Sequence, residues 1–221
     1  MISQHRQQIL HSEGTEFPAR SYKDLVLEPA YNQAKSNFIV PMIQVHEAHL
    51  IMLVEAGIID KKRGGKIVEA IRKINIDEVQ QSTYDTSFED LFFRIEAFLI
   101  QEAGDLAGNL HIARSRNDMG IAIYRIVLRE RLLKLIESSL RLRVILIDLT
   151  EEYIDTIMIG YTHTQEAQPT TLGHYFNAMT DMLTRDIQRM IAAFQTVNSS
   201  SMGACALTTT GFPINRKRVK D

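Results

Sequence analysis

Five successive positions, Arg114-Ser115-Arg116-Asn117-Asp118, place two guanidinium groups, a hydroxyl, an amide and a carboxylate directly ahead of a long helical pattern. The mouth of a helix has unpaired backbone N–H groups and the positive end of its dipole, so it favours an anion. Serine, asparagine and aspartate there serve equally well as helix caps. Capping does not account for the two arginines, nor for His111 four residues ahead of Ser115. This donor set suits carboxylates. The second dense cluster is Gly160-Tyr161-Thr162-His163-Thr164-Gln165-Glu166-Ala167-Gln168-Pro169, read as a loop between two long helices. Its hydroxyl, imidazole and amides suit hydrogen bonding to a polar ligand.

Other motifs carry less. His46-Glu47-Ala48-His49 sets its histidines three apart, whereas the helical zinc motif needs four, and no third ligand is indicated. Gly64-Gly65-Lys66 lacks the upstream glycine of a phosphate loop, and the sequon Asn198-Ser199-Ser200 has no meaning inside a cell.

The elements that must position the two clusters are helices. Up to about Ser36 the pattern is irregular and reads as an extended arm or short helices. Pro41 fits the first residue of a helix that Gly57 stops, and a second is expected from Asp60 to Asn75, weakened by Gly64 and Gly65. Ser87 with Asp90 has the form of a capping box opening a helix that Gly104 closes. From Asp118 to Ile159 proline is absent, and Leu128, Leu132, Leu135, Leu142, Leu146, Leu149 and Tyr153 share a face. A second rod carries Leu172, Phe176, Met179, Leu183, Ile187, Met190, Phe194 and Val197. Strand signals are nearly absent, so the expected class is all-α. Rods of this length need further helices from the same chain or from other subunits, so the sequence predicts an oligomer or the front portion of something longer.

Composition narrows the class. The 221 residues are 45% hydrophobic with a formal net charge of −2, which supports a buried core and gives no basic excess for nucleic acid. The short basic runs Lys61–Lys66 and Arg216–Lys220 read as solvated helix ends or tails. Cys205 is the only cysteine, so no internal disulfide forms and a reducing compartment is expected. The opening MISQHRQQILHSEG lacks a signal peptide's apolar core, and no apolar run approaches the ~20 residues of a membrane helix. The expected location is cytoplasmic, with no membrane or nucleic-acid partner.

Together the two clusters resemble the first two signature regions of the argininosuccinate lyase family, within the fumarase/aspartase superfamily. Gly108-x-Leu110-His111-x-x-Arg114-Ser115-Arg116-Asn117-Asp118 follows the first, and Gly160-Tyr161-Thr162-His163-x-Gln165-x-Ala167-Gln168-Pro169 the second. Gly203 to Arg216, with Ala206-Leu207 and Phe212-Pro213-Ile214-Asn215-Arg216, resembles the loop after the second long helix. The resemblance runs from about Asn37 to the end. It implies an N-terminal helical domain over residues 1–105 and the first part of a central long-helix bundle over 106–221. It also implies β-elimination of an N-substituted aspartate to fumarate and an amine, arginine in a true argininosuccinate lyase. Ser115, Arg116, Asn117, Thr162 and Gln168 would bind this small dicarboxylate substrate, and His163 would be catalytic, with no cofactor and no metal. Active sites in such enzymes gather signature regions from different subunits of a homotetramer.

Three departures accompany the resemblance. The family's third signature, a serine-bearing G-S-S-x-M-P loop that supplies the base, is absent, so the 221-residue chain alone is expected to be inactive. The D-x-x-G-S-x-A-H segment appears as Met42-Ile43-Gln44-Val45-His46-Glu47-Ala48-His49, with His46 in place of a substrate-binding serine. The segment E-D-x-H appears as Glu89-Asp90-Leu91-Phe92. These changes raise a lyase acting on a different N-succinyl amino acid as an alternative; a non-catalytic helical assembly protein is the other.

Overall fold

The computed structural model describes residues 4–14 and 17–220, apart from the side chain of Leu10. The first three residues of the opening stretch and the terminal Asp221 lie outside the described residues. The chain forms ten α-helices and one β-hairpin among the described residues, so the expected all-α class holds. Its contacts gather into two units, one holding the chain up to Tyr124 together with Ser200 onward, the other Arg125–Ser199.

In the first unit the irregular opening resolves into α1 (Gln4–Glu13), α2 (Arg20–Tyr22), a π-type turn (Lys23–Leu27) and α3 (Glu28–Asn37). Helix α4 (Ile39–Glu55) starts two residues before Pro41, whose missing N–H falls in the first turn where donors lack helical partners anyway. Its buried face, Met42, Val45, His46, His49 and Leu53, has the spacing of an amphipathic helix, but two of its members are imidazoles. Asp60 caps α5 (Lys61–Arg72) by accepting from the Arg63 N–H at 2.9 Å. Gly64 belongs in that helix because a Cβ there would lie 2.5 Å from Val54 Cγ2, so α4 and α5 approach through it. The basic run opens this helix, with Lys61, Lys62, Arg63 and Lys66 exposed.

Helix α6 (Ile76–Gln81) is capped by Asn75. Helix α7 (Leu91–Ala103) is not opened by the expected box at Ser87. Asp90 is itself the cap, its carboxylate accepting from the Phe93 N–H at 3.1 Å, while the Ser87 N–H is taken by Asp85 at 3.0 Å. Gly104, at φ +62°, ends α7 as expected. A 3₁₀ stretch, Gly104–His111, then leads to the mouth of α8 (Arg116–Glu152). The core centres on Ile39, Met52, Leu53, Ile67, Ile71, Leu91, Ile95 and Leu110. The short helix α10 (Arg216–Lys220), the second basic run, packs on α4 through Arg218 and Glu55 at 2.7 Å.

In the second unit α8 continues from Arg125 and is followed by β1 (Ile157–Thr162), β2 (Gln165–Thr171) and α9 (Leu172–Val197). The 37 residues of α8 rise roughly 55 Å. The two rods run antiparallel, with Arg143 Nε donating to Thr184 Oγ1 at 2.8 Å and Arg129 Nη1 to Asn198 Oδ1 at 2.9 Å. They meet closely at Gly173, where a Cβ would lie 2.7 Å from both Ile154 Cα and Thr150 O. One rod covers only a narrow stripe of the other: on α9 Gly173, Thr180 and Ile187, seven residues apart, are buried. Of the expected α8 stripe Leu146 is buried, whereas Leu128, Leu135 and Leu142 are about half exposed. A rod apolar on more than one face cannot be covered by a single neighbour.

The segment read as a loop between the rods is the β-hairpin, and this corrects the sequence reading. Its strands pair antiparallel, with a register shift at Gly160/Tyr161 and a two-residue turn of His163 and Thr164. Both turn residues have positive φ, +51° and +65°, the geometry that matches the twist of paired strands. Gly160 and Pro169 concealed it, since both residues ordinarily count against a strand.

Candidate active site

The mouth of α8 is built from the backbone outward. Ser115 Oγ accepts from the Asn117 N–H at 3.3 Å, and Asp118, three residues on, reaches back to the Ser115 N–H at 2.8 Å. This is the reciprocal box expected at Ser87, located at Ser115 and Asp118 instead. Asp118 does more than cap. It is 4% exposed and also accepts from the N–H groups of Met119 (2.9 Å), Gly203 (3.3 Å) and Cys205 (2.9 Å), while Ser201 Oγ donates to its carbonyl at 2.6 Å. The chain after α9 is thereby fastened to the start of α8.

The residues before Ser115 are held one by one. His49 Nε2 bonds the Ile112 carbonyl at 2.9 Å, and Cys205 Sγ donates to the carbonyl of Ala113, which sits at φ +59°. Arg114 Nη1 donates to His46 Nδ1 at 3.0 Å. Thus of the two arginines only Arg116 faces outward; Arg114 is 9% exposed and turned into the core. Arg116 is the first helical residue, bonded through Nη1 to Asp90 at 2.9 Å and lying 4.5 Å over the Phe93 ring and 5.9 Å over Phe92. It shares a second carboxylate, Glu89, at 3.7 Å. Asn117 beside it is exposed. The site therefore offers a hydroxyl, an amide and an oriented guanidinium at a fixed helix mouth, an arrangement able to hold a carboxylate and stabilise charge growing on it.

The backing is electrostatically unusual. Burial, reinforced by Arg114, pushes His46 well below the ordinary imidazole range and His49 to about 4. Burial lowers Arg114 to about 10, opposed by Asp118 and Glu96. His111 is lowered by burial and Arg114, against the pull of Glu96, to which its Nε2 bonds at 2.7 Å. His46 and His49 thus stand neutral beside a fixed cation, each with one ring nitrogen engaged. Among the described residues, His46 Nε2, His49 Nδ1, Arg114 Nε and Arg114 Nη2 are buried without a hydrogen-bond partner.

A pH dependence follows. An unfolded histidine titrates near 6.5 and folded His49 near 4, so below 6.5 the unfolded chain binds more protons. Stability is therefore complete above about pH 6.5 and is lost as pH falls toward 4. His49 alone contributes roughly 3 kcal/mol across that window. Urea unfolding at pH 7 and pH 4.5 checks this: His49→Gln should flatten the dependence, and an unchanged slope would exclude His49 as its source.

The remaining candidates belong to the second unit. Thr162 ends β1, His163 forms the first half of the hairpin turn and Gln168 lies on β2, all three exposed. Their strands register Thr162 opposite Gln165 and Gly160 opposite Gln168. A non-glycine residue at positive φ is uncommon, and such conformations concentrate at functional positions. Ser115, Arg116 and Asn117 stand together in the first unit; Thr162, His163 and Gln168 stand together in the second. The sequence reading included Arg114 and Asp118 in the donor cluster and noted Phe92 as a departure, but it did not foresee that Arg114 turns inward, that Asp118 holds Gly203 and Cys205, or that Phe92 lies under Arg116. Of these, only the capping part of Asp118 has a local signal, the Ser-x-x-Asp spacing at 115 and 118.

Comparison with known proteins defines the class. Residues 33–220 match the family model described as Lyase, and the chain belongs to that family. It is 41% identical over 212 residues to argininosuccinate lyase 2 of Agrobacterium fabrum, covering 95% of this chain and 42% of that protein. To argininosuccinate lyase of Methanosarcina mazei it is 42% identical over 180 residues, 81% of this chain and 36% of that one. A solved EDDS lyase in complex with formate superposes with a TM-score of 0.77 at 31% identity, over 96% of this chain and 42% of that chain. A class II fumarase from Schistosoma mansoni shares the fold at 18% identity, with a TM-score of 0.64 over 87% of this chain and 43% of that one. The chain thus spans about two fifths of the length of the curated relatives it matches.

Proposed function

We propose that this chain is the front portion of an argininosuccinate lyase-like enzyme that eliminates an amine from an N-substituted aspartate and releases fumarate. In this reading residues 1–105 form its N-terminal domain and 106–221 the start of its helical bundle. The observation that carries the reading is the preorganised mouth of α8, where Ser115, Arg116 and Asn117 sit on backbone fixed by Asp118, His49 and Cys205. In the elimination a proton leaves the carbon next to a carboxylate and the C–N bond breaks, its electron pair departing with the amine. Negative charge accumulates on the carboxylate as the proton leaves. Donors already aimed at that carboxylate need no reorganisation, and each lowers the barrier by roughly 3 kcal/mol. Thr162 and Gln168 would bind the remainder of the substrate, and His163 would transfer a proton or orient the group that does.

Assembly completes the reading. The hairpin carrying His163 exposes Ile157, Ile159 and Tyr161, and α8 leaves Leu133, Leu135, Val144 and Ile145 about half exposed. A lone two-stranded hairpin is marginal in water, so neighbouring subunits of a homotetramer are its natural cover. Among the described residues no single helix is long and apolar enough to cross a membrane, and a cytoplasmic enzyme is proposed. Fumarate absorbance gives the test. The complete enzyme should release fumarate from an N-substituted aspartate, and the 221-residue chain should not; absence of turnover by the complete enzyme across a panel of such compounds would refute the function.

A further inference from the structure

The two positions at which the chain departs from the family pattern, 46 and 92, meet in the structure. The His46 and Phe92 rings stack at 6.3 Å with an interplanar angle of 19°. Phe92 is only partly buried, and it also meets the edge of His111 at 5.9 Å and Phe93 at 5.8 Å. The Arg116 guanidinium lies over both phenyl rings. A ligand held by the outward side of Arg116 therefore lies within one side chain of this wall of rings.

The wall's charge is already settled. A cation could rest on the phenyl faces, but the Arg116 guanidinium already lies over one face of each ring, so a second cation beside it meets like charge. A cation could pair with a carboxylate, but Glu96 holds His111 at 2.7 Å and Asp90 holds Arg116 at 2.9 Å. Glu89 is also turned to Arg116, at 3.7 Å. Behind the rings Arg114 adds a buried positive charge without a carboxylate in ion-pair contact among the described residues, hydrogen-bonded to the same His46 that supports Phe92. A guanidinium brought here meets two fixed cations and carboxylates that are already engaged. An uncharged ring meets ring surface.

We infer that Phe92, braced by His46, forms the subsite for the amine half of the substrate and selects an uncharged, ring-bearing amine over a guanidinium-bearing one. This rests on the elimination proposed above and specifies its leaving group. Phe92 is the specificity-determining contact, and His46 is a positioning residue that acts through it.

The test compares fumarate release by the complete enzyme from N-benzylaspartate and from argininosuccinate. The expected kcat/KM is about tenfold or more in favour of N-benzylaspartate, the range that one pocket contact supplies. Phe92→His should move that ratio toward argininosuccinate by about tenfold, and Phe92→Leu, which keeps an apolar side chain should the first variant fold poorly, should lower the benzyl rate selectively. Preference for argininosuccinate in the unaltered enzyme, or a ratio that neither variant moves, overturns the inference and leaves the elimination standing. Absence of fumarate from both compounds and from the wider panel overturns the elimination itself, and the subsite with it.

Discussion

Asp118→Ala is expected to destabilise the first unit by about 4 kcal/mol. The carboxylate is 4% exposed and accepts from four backbone N–H groups, those of Ser115, Met119, Gly203 and Cys205. Its removal leaves those buried donors unpaired, and an unsatisfied buried donor costs about 1–3 kcal/mol, partly recovered where water enters. The loss is also positional. The Ser115 N–H would lose its capping partner, and Gly203 and Cys205 would lose their hold on the start of α8, leaving Ser201 Oγ on the backbone carbonyl of residue 118. Asp118→Asn keeps one acceptor oxygen and should cost about half as much. Urea unfolding followed by helical circular dichroism measures both, and a loss below about 1 kcal/mol for the alanine variant would show that these bonds do not hold the mouth of α8.

His163→Ala should lower kcat of the complete enzyme by about 10²- to 10⁴-fold, the range of a positioned proton-transfer group, with a smaller effect on KM. Because His163 occupies a turn position at φ +51°, alanine there adds backbone strain that has nothing to do with the imidazole. His163→Asn separates the two, since asparagine accepts that conformation readily. Both variants should be equally impaired. Near-normal turnover by the asparagine variant would assign His163 to shaping the turn.

The long helices, the caps at Asp60 and Gly104 and the start of α8 behind Ser115 were legible because each is written in neighbouring residues. The hairpin was hidden because its signal is mixed: Ile157 to Thr162 reads as a strand, but Gly160 interrupts it and Pro169 falls in its partner. Ser87 and Asp90 have the spacing of a box, yet the carboxylate already makes the cap, leaving the serine no donor to satisfy. The inward turn of Arg114 could not be read locally, since its partner His46 is 68 residues away. The fastening by Asp118 reaches 85 and 87 residues forward, to Gly203 and Cys205. Contacts at such separations depend on how helices pack, whereas local spacing reports only how each one begins and ends.

The central claim, that the helix mouth and the hairpin tip serve one active site assembled from different subunits, is tested most directly by mixing two inactive variants of the complete enzyme. Asn117→Ala removes a donor from the mouth of α8 and His163→Ala removes the imidazole from the hairpin. When the two are unfolded together and reassembled, some sites in the mixed oligomers should receive an intact Asn117 from one subunit and an intact His163 from another, and fumarate release should return above that of either parent. If mixed oligomers form and release no more fumarate than the parents, the two clusters do not share a site across subunits.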